Sequence, residues 1–275
     1  EYWIFNKNGS LRQVSYDNDK DQWYYRNSYH GNHYREYVIP KTNAEDTEED
    51  HVQFYTLEYV NSVTKWEALE TAVDNFLSSV QAQNEAIEGT ENDHQVALVK
   101  FAGDKENEVG NDTYWGNEYN YTQIVNGLTS NIFTVKGNLG DISPGGATSA
   151  DYGLEHAQSV LNQSREDAEK VVVFFTDGEP NHGNGFDGSV AEKAIEEAKD
   201  MKDDGVTIYT VGVFQGASTD ITQGEDKDRK MNRYMHAISS NYPNATGYEV
   251  WELEERATDS NYYFTAENAD GLNSV

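Results

Sequence analysis

Five consecutive apolar residues, 171–175, run straight into Thr176-Asp177-Gly178-Glu179-Pro180. A run with no polar alternation reads as a strand buried on both faces, the habit of a parallel sheet covered by helices. Gly178 permits a sharp turn and Pro180 stiffens the exit. The turn sets the Asp177 carboxylate at the C-terminal tip of that strand. A charge partly withdrawn from water needs a partner, and a divalent cation, an arginine or backbone N–H groups would each serve.

The rest of the chain supplies the frame for such a strand. Residues 96–101 (VALVKF) and 206–214 (VTIYTVGVF) read as further strands, and 262–264 as a short last one. Trp66, Leu69, Val73, Phe76, Leu77 and Val80 recur at steps of three and four, the apolar face of a helix. Thr64 is its expected N-cap, with Glu67 completing a capping box. Gly145-Gly146-Ala147-Thr148 leads into a second helix carrying Ala150, Leu154, Ala157 and Leu161. Residues 190–204 form a charged amphipathic helix closed by Gly205. Residues 122–128, 231–239 and 266–275 also read as helical.

Strands alternating with helices at these spacings predict βαβ units, a mostly parallel central sheet and helices on both faces. In such sheets ligands sit beyond the C-terminal ends of the strands. That rule points to residues 176–180 and to the loop before Thr148. The Thr148 hydroxyl reads either as a helix N-cap or as an oxygen ligand for a metal such as Mg²⁺.

Residues 1–64 differ in character. Short aromatic runs at Tyr2-Trp3, Trp23-Tyr24-Tyr25, Tyr29, Tyr34 and Tyr37 are punctuated by Asn, Asp and Gly, which predicts strands and turns. The division expected is a β-rich aromatic insertion or accessory subdomain over 1–64, and an α/β core over 65–275 truncated at both ends. The aromatics serve either as a contact surface or as the core of that subdomain. His30 and His33, three apart, lack the further ligands a zinc site needs. The polar loop 103–121 has no EF-hand spacing, which leaves a solvated loop rather than a Ca²⁺ site.

Charge and composition narrow the partners. Forty-nine acidic residues against 20 basic ones give a formal net charge of -29, which repels phosphate backbones, so nucleic acid is excluded, and it disfavours acidic membranes. Cysteine is absent, so disulfides and thiolate metal sites are excluded. No run of 18 apolar residues suggests membrane insertion. The nucleophile elbow, the phosphate-cradling loop and the dinucleotide fingerprint of common enzymes are all missing.

Taken in order, VVVFFTDGEP (171–180), GGATSADYGLEHA (145–157), VALVKF, VTIYTVGVF, the helix KWEALETAVDNFLSSV (65–80) and YYFTAENADGLNSV (262–275) resemble a von Willebrand factor type A domain. The resemblance covers about three quarters of the chain. It implies a Rossmann-type α/β sandwich and a metal-ion-dependent adhesion site, in which Thr148 and Asp177 match the threonine and aspartate that hold Mg²⁺, or in some members Mn²⁺ or Ca²⁺. It also implies that a carboxylate of a protein ligand completes the coordination. With residues 1–64 inserted, the likeness is to pilus-tip adhesins and wall-anchored proteins of Gram-positive bacteria. The implied role is cation-dependent, non-enzymatic adhesion at the cell surface, wall or pilus, with a host or extracellular-matrix protein, or other pilus subunits, as partner. A metal-assisted hydrolase and a structural module with a degenerate site are the alternatives.

One departure from the family pattern stands out. No Asp-x-Ser-x-Ser precedes the helix at 65–80; residues 54–62 hold Thr56, Glu58 and Ser62 at other spacings. Three accounts are open. The motif lies before Glu1, or residues are missing near this junction, or the site is degenerate and metal-free. The abrupt start and end of the chain read as those of an excised fragment.

Overall fold

A computed structural model describes residues 2–7, 9–29, 32–43, 46–48, 51–56, 64–87, 93–103, 112–114, 117–183, 185–257 and 261–266. The chain forms two compact units, Glu1–Ser62 and Val63–Val275.

In the first unit, tight turns join successive strands, and strands so joined pair antiparallel. β1 (Tyr2–Phe5), β2 (Leu11–Asp17), β3 (Gln22–Tyr29) and β4 (Asn32–Pro40) form a meander, with β5 (His51–Val52) beside β4. Asn6 closes the first turn, its side-chain oxygen accepting from the Ser10 N–H at 2.8 Å. β5 runs parallel to β4, with Ile39 opposite His51. Three residues further on, Tyr55 exchanges two 2.8 Å backbone hydrogen bonds with Trp3 of β1. One segment therefore meets both edges, and the sheet is nearly closed. Its inner face carries Ile4, Val14, Tyr25 and Val38, backed by Trp23, Val52 and Phe54. Trp23 meets Tyr2, Tyr16 and Phe54 edge-on at 5.4, 5.0 and 5.3 Å. Trp23 and Tyr25 thus belong to the core, Tyr24 is buried against Tyr37, and Tyr34 is exposed. His30 and the side chain of Tyr29 lie outside the described residues.

The second unit opens with α1 (Lys65–Ala86), capped as its sequence predicts. Thr64 Oγ1 accepts from the Glu67 N–H, and the Glu67 carboxylate accepts from the Thr64 N–H. β6 (Val96–Lys100), the β7 (Asp112–Tyr114) and β8 (Asn117–Tyr119) hairpin, β9 (Gln123–Thr129), α2 (Ile132–Gly140) and α3 (Ala150–Leu161) follow. β10 (Val171–Thr176), α4 (Gly188–Asp203), β11 (Thr207–Gly212), α5 (Asp226–Ile238) and β12 (Tyr263–Thr265) complete the unit. β10, β11 and β12 pair in parallel in that order. α3, α4 and α5 bury Leu154, Ala191, Ile195 and Met235 with Phe174 and Ile208, while Ala68 of α1 packs with Val211, Val213 and Phe175. Alternation along β11 sends Ile208 and Val211 to opposite faces, so helices cover both.

The expectation of a mostly parallel central sheet is corrected. Beyond β10–β11–β12, the only described parallel pairing is the two-residue match of β4 with β5; β1 to β4, β6 with β9, and β7 with β8 are all antiparallel. The largest sheet is the antiparallel, nearly closed one of the first unit, so the molecule is an α/β sandwich with largely antiparallel strands rather than an open Rossmann-type sheet. The reason is connectivity. A parallel ladder needs a long crossover, which α4 and α5 supply to β10, β11 and β12. Nor is β10 buried along its whole length. Val171 and Val173 are exposed, because the α1 contacts gather at its far end around Phe175.

Two local readings change as well. Residues 123–129 form β9, not a helix: Val99 pairs with Ile124 and Lys100 with Gln123. Ile124 and Val125 suit a strand, where β-branched side chains lose little freedom. α2 was not anticipated, although Ile132, Val135 and Leu139 keep helical spacing and bury against Leu77 and Val80. α5 starts at Asp226, ahead of the expected 231. Of the last expected helix, residues 267–275 lie outside the described residues, as does most of the 103–121 loop.

The core of α5 holds a titratable group. His236 Nε2 meets the Thr219 carbonyl at 3.0 Å and Nδ1 meets Asn241 Nδ2 at 3.0 Å, so the neutral ring is satisfied at both nitrogens. Burial pulls its pKa from 6.5 down to about 4. The folded-state value is depressed, so below pH 6.5 the unfolded chain gains a proton that the folded chain refuses. Stability is fully present above pH 6.5 and falls on acidification until the folded pKa is passed. We expect a loss of about 2 kcal/mol at pH 5 from this group alone. Urea unfolding at pH 7.5 and 5 checks it: His236→Gln should flatten that part of the pH dependence.

Candidate functional site

Two loops meet at the C-terminal end of β10. Thr176 ends the strand buried, and its hydroxyl closes the next turn, donating to the Gly178 carbonyl at 3.1 Å and accepting from the Gly178 N–H at 3.3 Å. Asn181 stiffens the following residues. Its amide donates to the Glu179 carbonyl at 2.6 Å, and its side-chain oxygen accepts from the Gly183 N–H at 3.0 Å. The second loop descends through Gly146, whose φ of 97° suits glycine. It is tied to the end of β6 by the Ser149 N–H, which donates to the Ala102 carbonyl at 2.8 Å.

A short antiparallel bridge joins the two loops. The Thr148 N–H donates to the Asn181 carbonyl at 3.1 Å, and the Asn181 N–H donates to the Thr148 carbonyl at 3.0 Å. This brings the half-buried Thr148 beside the Asp177 turn. A Cβ at Gly178 would lie 3.1 Å from Thr148 Oγ1, so the missing side chain leaves the hydroxyl its space. Gly178→Ala should therefore press on the hydroxyl and weaken any ligand it helps to hold, with little change in stability. Melting temperature and ligand affinity, measured side by side, test that split.

Asp177 is not desolvated as its position after an apolar run suggests. Its side chain is 67% exposed, because the turn lifts it clear of the sheet end. The nearest described charge is the Lys65 ammonium, 3.9 Å from Oδ2, supplied by the first residue of α1. Beside Asp177 and Glu179 opens a cavity of about 120 Å³ lined by Phe214 and Met231.

On the α3 side of the bridge lies a group that sequence reasoning did not single out. Asp151, in the first turn of α3, has a side chain only 6% exposed. Both its oxygens lie 3.0 Å from His182 Nε2. The imidazole also stacks on Tyr152, with ring centroids 4.7 Å apart. His182 thus points toward α3. The available signal was the spacing: an acid three residues after Thr148 and a histidine five after Asp177.

The donor set suits a hard cation in its chemistry, since a carboxylate and a neutral hydroxyl are the oxygens Mg²⁺ accepts. The space at Gly178 leaves the hydroxyl uncrowded on that side. Among the described residues no group of three or more His, Cys, Asp or Glu gathers to hold a metal. Thr56 is exposed, and Glu58 and Ser62 lie outside the described residues.

A family model for the von Willebrand factor type A domain matches residues 60–272, and the chain belongs to that family. Among solved structures it is similar to the pilus adhesin SpaC from Lactobacillus rhamnosus GG, at 20% identity over 76% of this chain and 27% of that one, with a TM-score of 0.50. It is also similar to the vWF domain of the type V pili tip protein Mfa5 from Porphyromonas gingivalis, at 13% identity over 76% of this chain and 86% of that one, with a TM-score of 0.48. A third is proximal thread matrix protein 1 from the mussel byssus, with a zinc-occupied MIDAS motif, at 19% identity over 76% of this chain and 40% of that one, with a TM-score of 0.47. The chain spans less than half the length of the byssus and SpaC proteins. At these identities the likeness speaks to the fold alone. No helix among the described residues is long and apolar enough to cross a membrane.

Proposed function

We propose that the chain is an adhesive recognition domain that binds a host or extracellular-matrix protein, or another pilus subunit, through a divalent cation held by Thr148 and Asp177. The observation that supports this reading is the Thr148–Asn181 bridge, which sets the Thr148 hydroxyl against Gly178, the residue that follows Asp177 in the turn. Mg²⁺, with Mn²⁺ and Ca²⁺ as substitutes, would supply a Lewis acid able to accept a carboxylate of the partner. The neutral hydroxyl of Thr148 leaves the cation's charge largely uncompensated. Asp177, exposed at the turn, anchors it from the protein side. With a net charge of -29, this surface repels an acidic partner group unless a cation stands between them. The cavity by Phe214 and Met231 offers room for a neighbouring side chain of the partner. The role is binding rather than catalysis, at the cell surface, wall or pilus. Residues 1–64 are assigned to an accessory subdomain and 65–275 to the core.

The proximity of the Lys65 ammonium to Asp177 favours one second reading, a structural module whose internal cation replaces the metal. Binding of the chain to immobilised fibrinogen, collagen and fibronectin, with Mg²⁺ and then with EDTA, separates the two. Retention that disappears in EDTA supports the metal bridge. Equal retention in both supports the metal-free module.

A further inference from the structure

We propose that His182 is a positioning residue: its bond to Asp151 clamps the loop carrying Asp177 onto α3, the helix that begins two residues after Thr148, and so sets the spacing of the two oxygen donors. This rests on the metal-bridge reading above and adds a residue that acts through others.

The geometry supports it from both sides. A carboxylate as buried as Asp151 is costly unless paired, and His182 meets both its oxygens at 3.0 Å. Nearby, the Ser149 and Tyr234 hydroxyls are buried without a hydrogen-bond partner among the described residues, so neither relieves Asp151 of its need for His182. Stacking on Tyr152 restricts rotation of the ring, leaving it one way to face α3. The clamp lies one residue beyond Asn181 and three beyond Thr148, directly beside the two backbone bonds of the bridge. Without it, the two backbone bonds of the bridge are the remaining hydrogen bonds among the described residues between the Asp177 loop and the Thr148 loop. Misplacement of the donors then costs affinity for a cation with strict geometry, even though neither donor has been altered.

Mn²⁺ alone, titrated into the full chain and followed by calorimetry and electron paramagnetic resonance, tests the clamp. His182→Ala should weaken Mn²⁺ binding about tenfold, in the range seen when groups supporting metal ligands are lost. His182→Gln, whose amide can still donate to Asp151, should bind close to wild type, which a purely structural loss would not produce. Melting temperatures without metal guard against misfolding, with His182→Gln as the variant expected to stay folded. If Asp177→Ala abolishes binding while His182→Ala binds as wild type, the clamp is wrong and the metal site stands. Equal losses in His182→Ala and His182→Gln also overturn it. If the wild-type chain takes up no Mn²⁺, the metal site and the clamp fall together.

Discussion

Asp177→Ala should erase the response of binding to Mg²⁺ and lower metal affinity by at least about a hundredfold, since loss of a direct ligand exceeds the 10–100-fold cost of losing a supporting group. The fold should be unaffected, because the side chain is exposed and its ion pair with Lys65 is a surface one. Lys65→Met should act with the opposite sign. It removes a positive charge beside the position assigned to the cation, and Coulomb repulsion in a water-like medium would give more than tenfold tighter binding at 4 Å. Screening by salt and the freedom of a 42% exposed lysine reduce this to about fivefold. Calorimetric titration of Mg²⁺ into the wild type and both variants reads the two effects. Opposite signs identify Asp177 as the ligand and Lys65 as its competitor. A Lys65→Met chain that binds no metal, while still folded, points instead to the metal-free module.

The second large effect concerns stability. Lys202, near the C-terminus of α4, is half-buried, and its ammonium donates to the carbonyls of Ala237, Ser239 and Tyr242 at 2.7, 3.3 and 3.0 Å. The first two belong to the end of α5, where carbonyls lack partners within the helix. One side chain thus caps a neighbouring helix and ties it to the segment that follows. Burial works against its charge and pulls its pKa down to about 7. Lys202→Met keeps much of the stem's packing but leaves three carbonyls without this donor. We expect a loss of about 3 kcal/mol, the scale for breaking charge-assisted hydrogen bonds in an interior. The shift in urea midpoint at unchanged slope measures it. A change below 0.5 kcal/mol, the range of ordinary surface substitutions, would mean that water or the backbone satisfies those carbonyls in its place.

Much of the second unit was legible because its signals are local. The Thr64–Glu67 capping box, the apolar face of α1, the parallel strands around residues 171–175 and 206–214, and the pairing of α4 with Gly205 depend on residues a few positions apart. The rule that ligands sit beyond strand ends pointed to the turn at residues 176–180 and to the loop before Thr148, and these two loops meet through the Thr148–Asn181 bridge. Residues 123–129 were misread because a seven-residue segment with mixed polarity carries no decisive period, and pairing with β6 settled it. Among the described residues the parallel habit is confined to β10, β11 and β12, where helical crossovers permit it, and to the two-residue match of β4 with β5.

The sequence alone determined which residues carry helical or strand periodicity, and the family, because periodicity and motif order are written in neighbouring positions. Only the tertiary structure decided that Tyr55 returns to Trp3 and nearly closes the first sheet, that Lys65 stands beside Asp177, and that His182 reaches back to Asp151. These contacts join residues 31 to 112 positions apart, and nothing in a local pattern encodes which distant partner will satisfy an unpaired strand edge, an exposed carboxylate or a buried one.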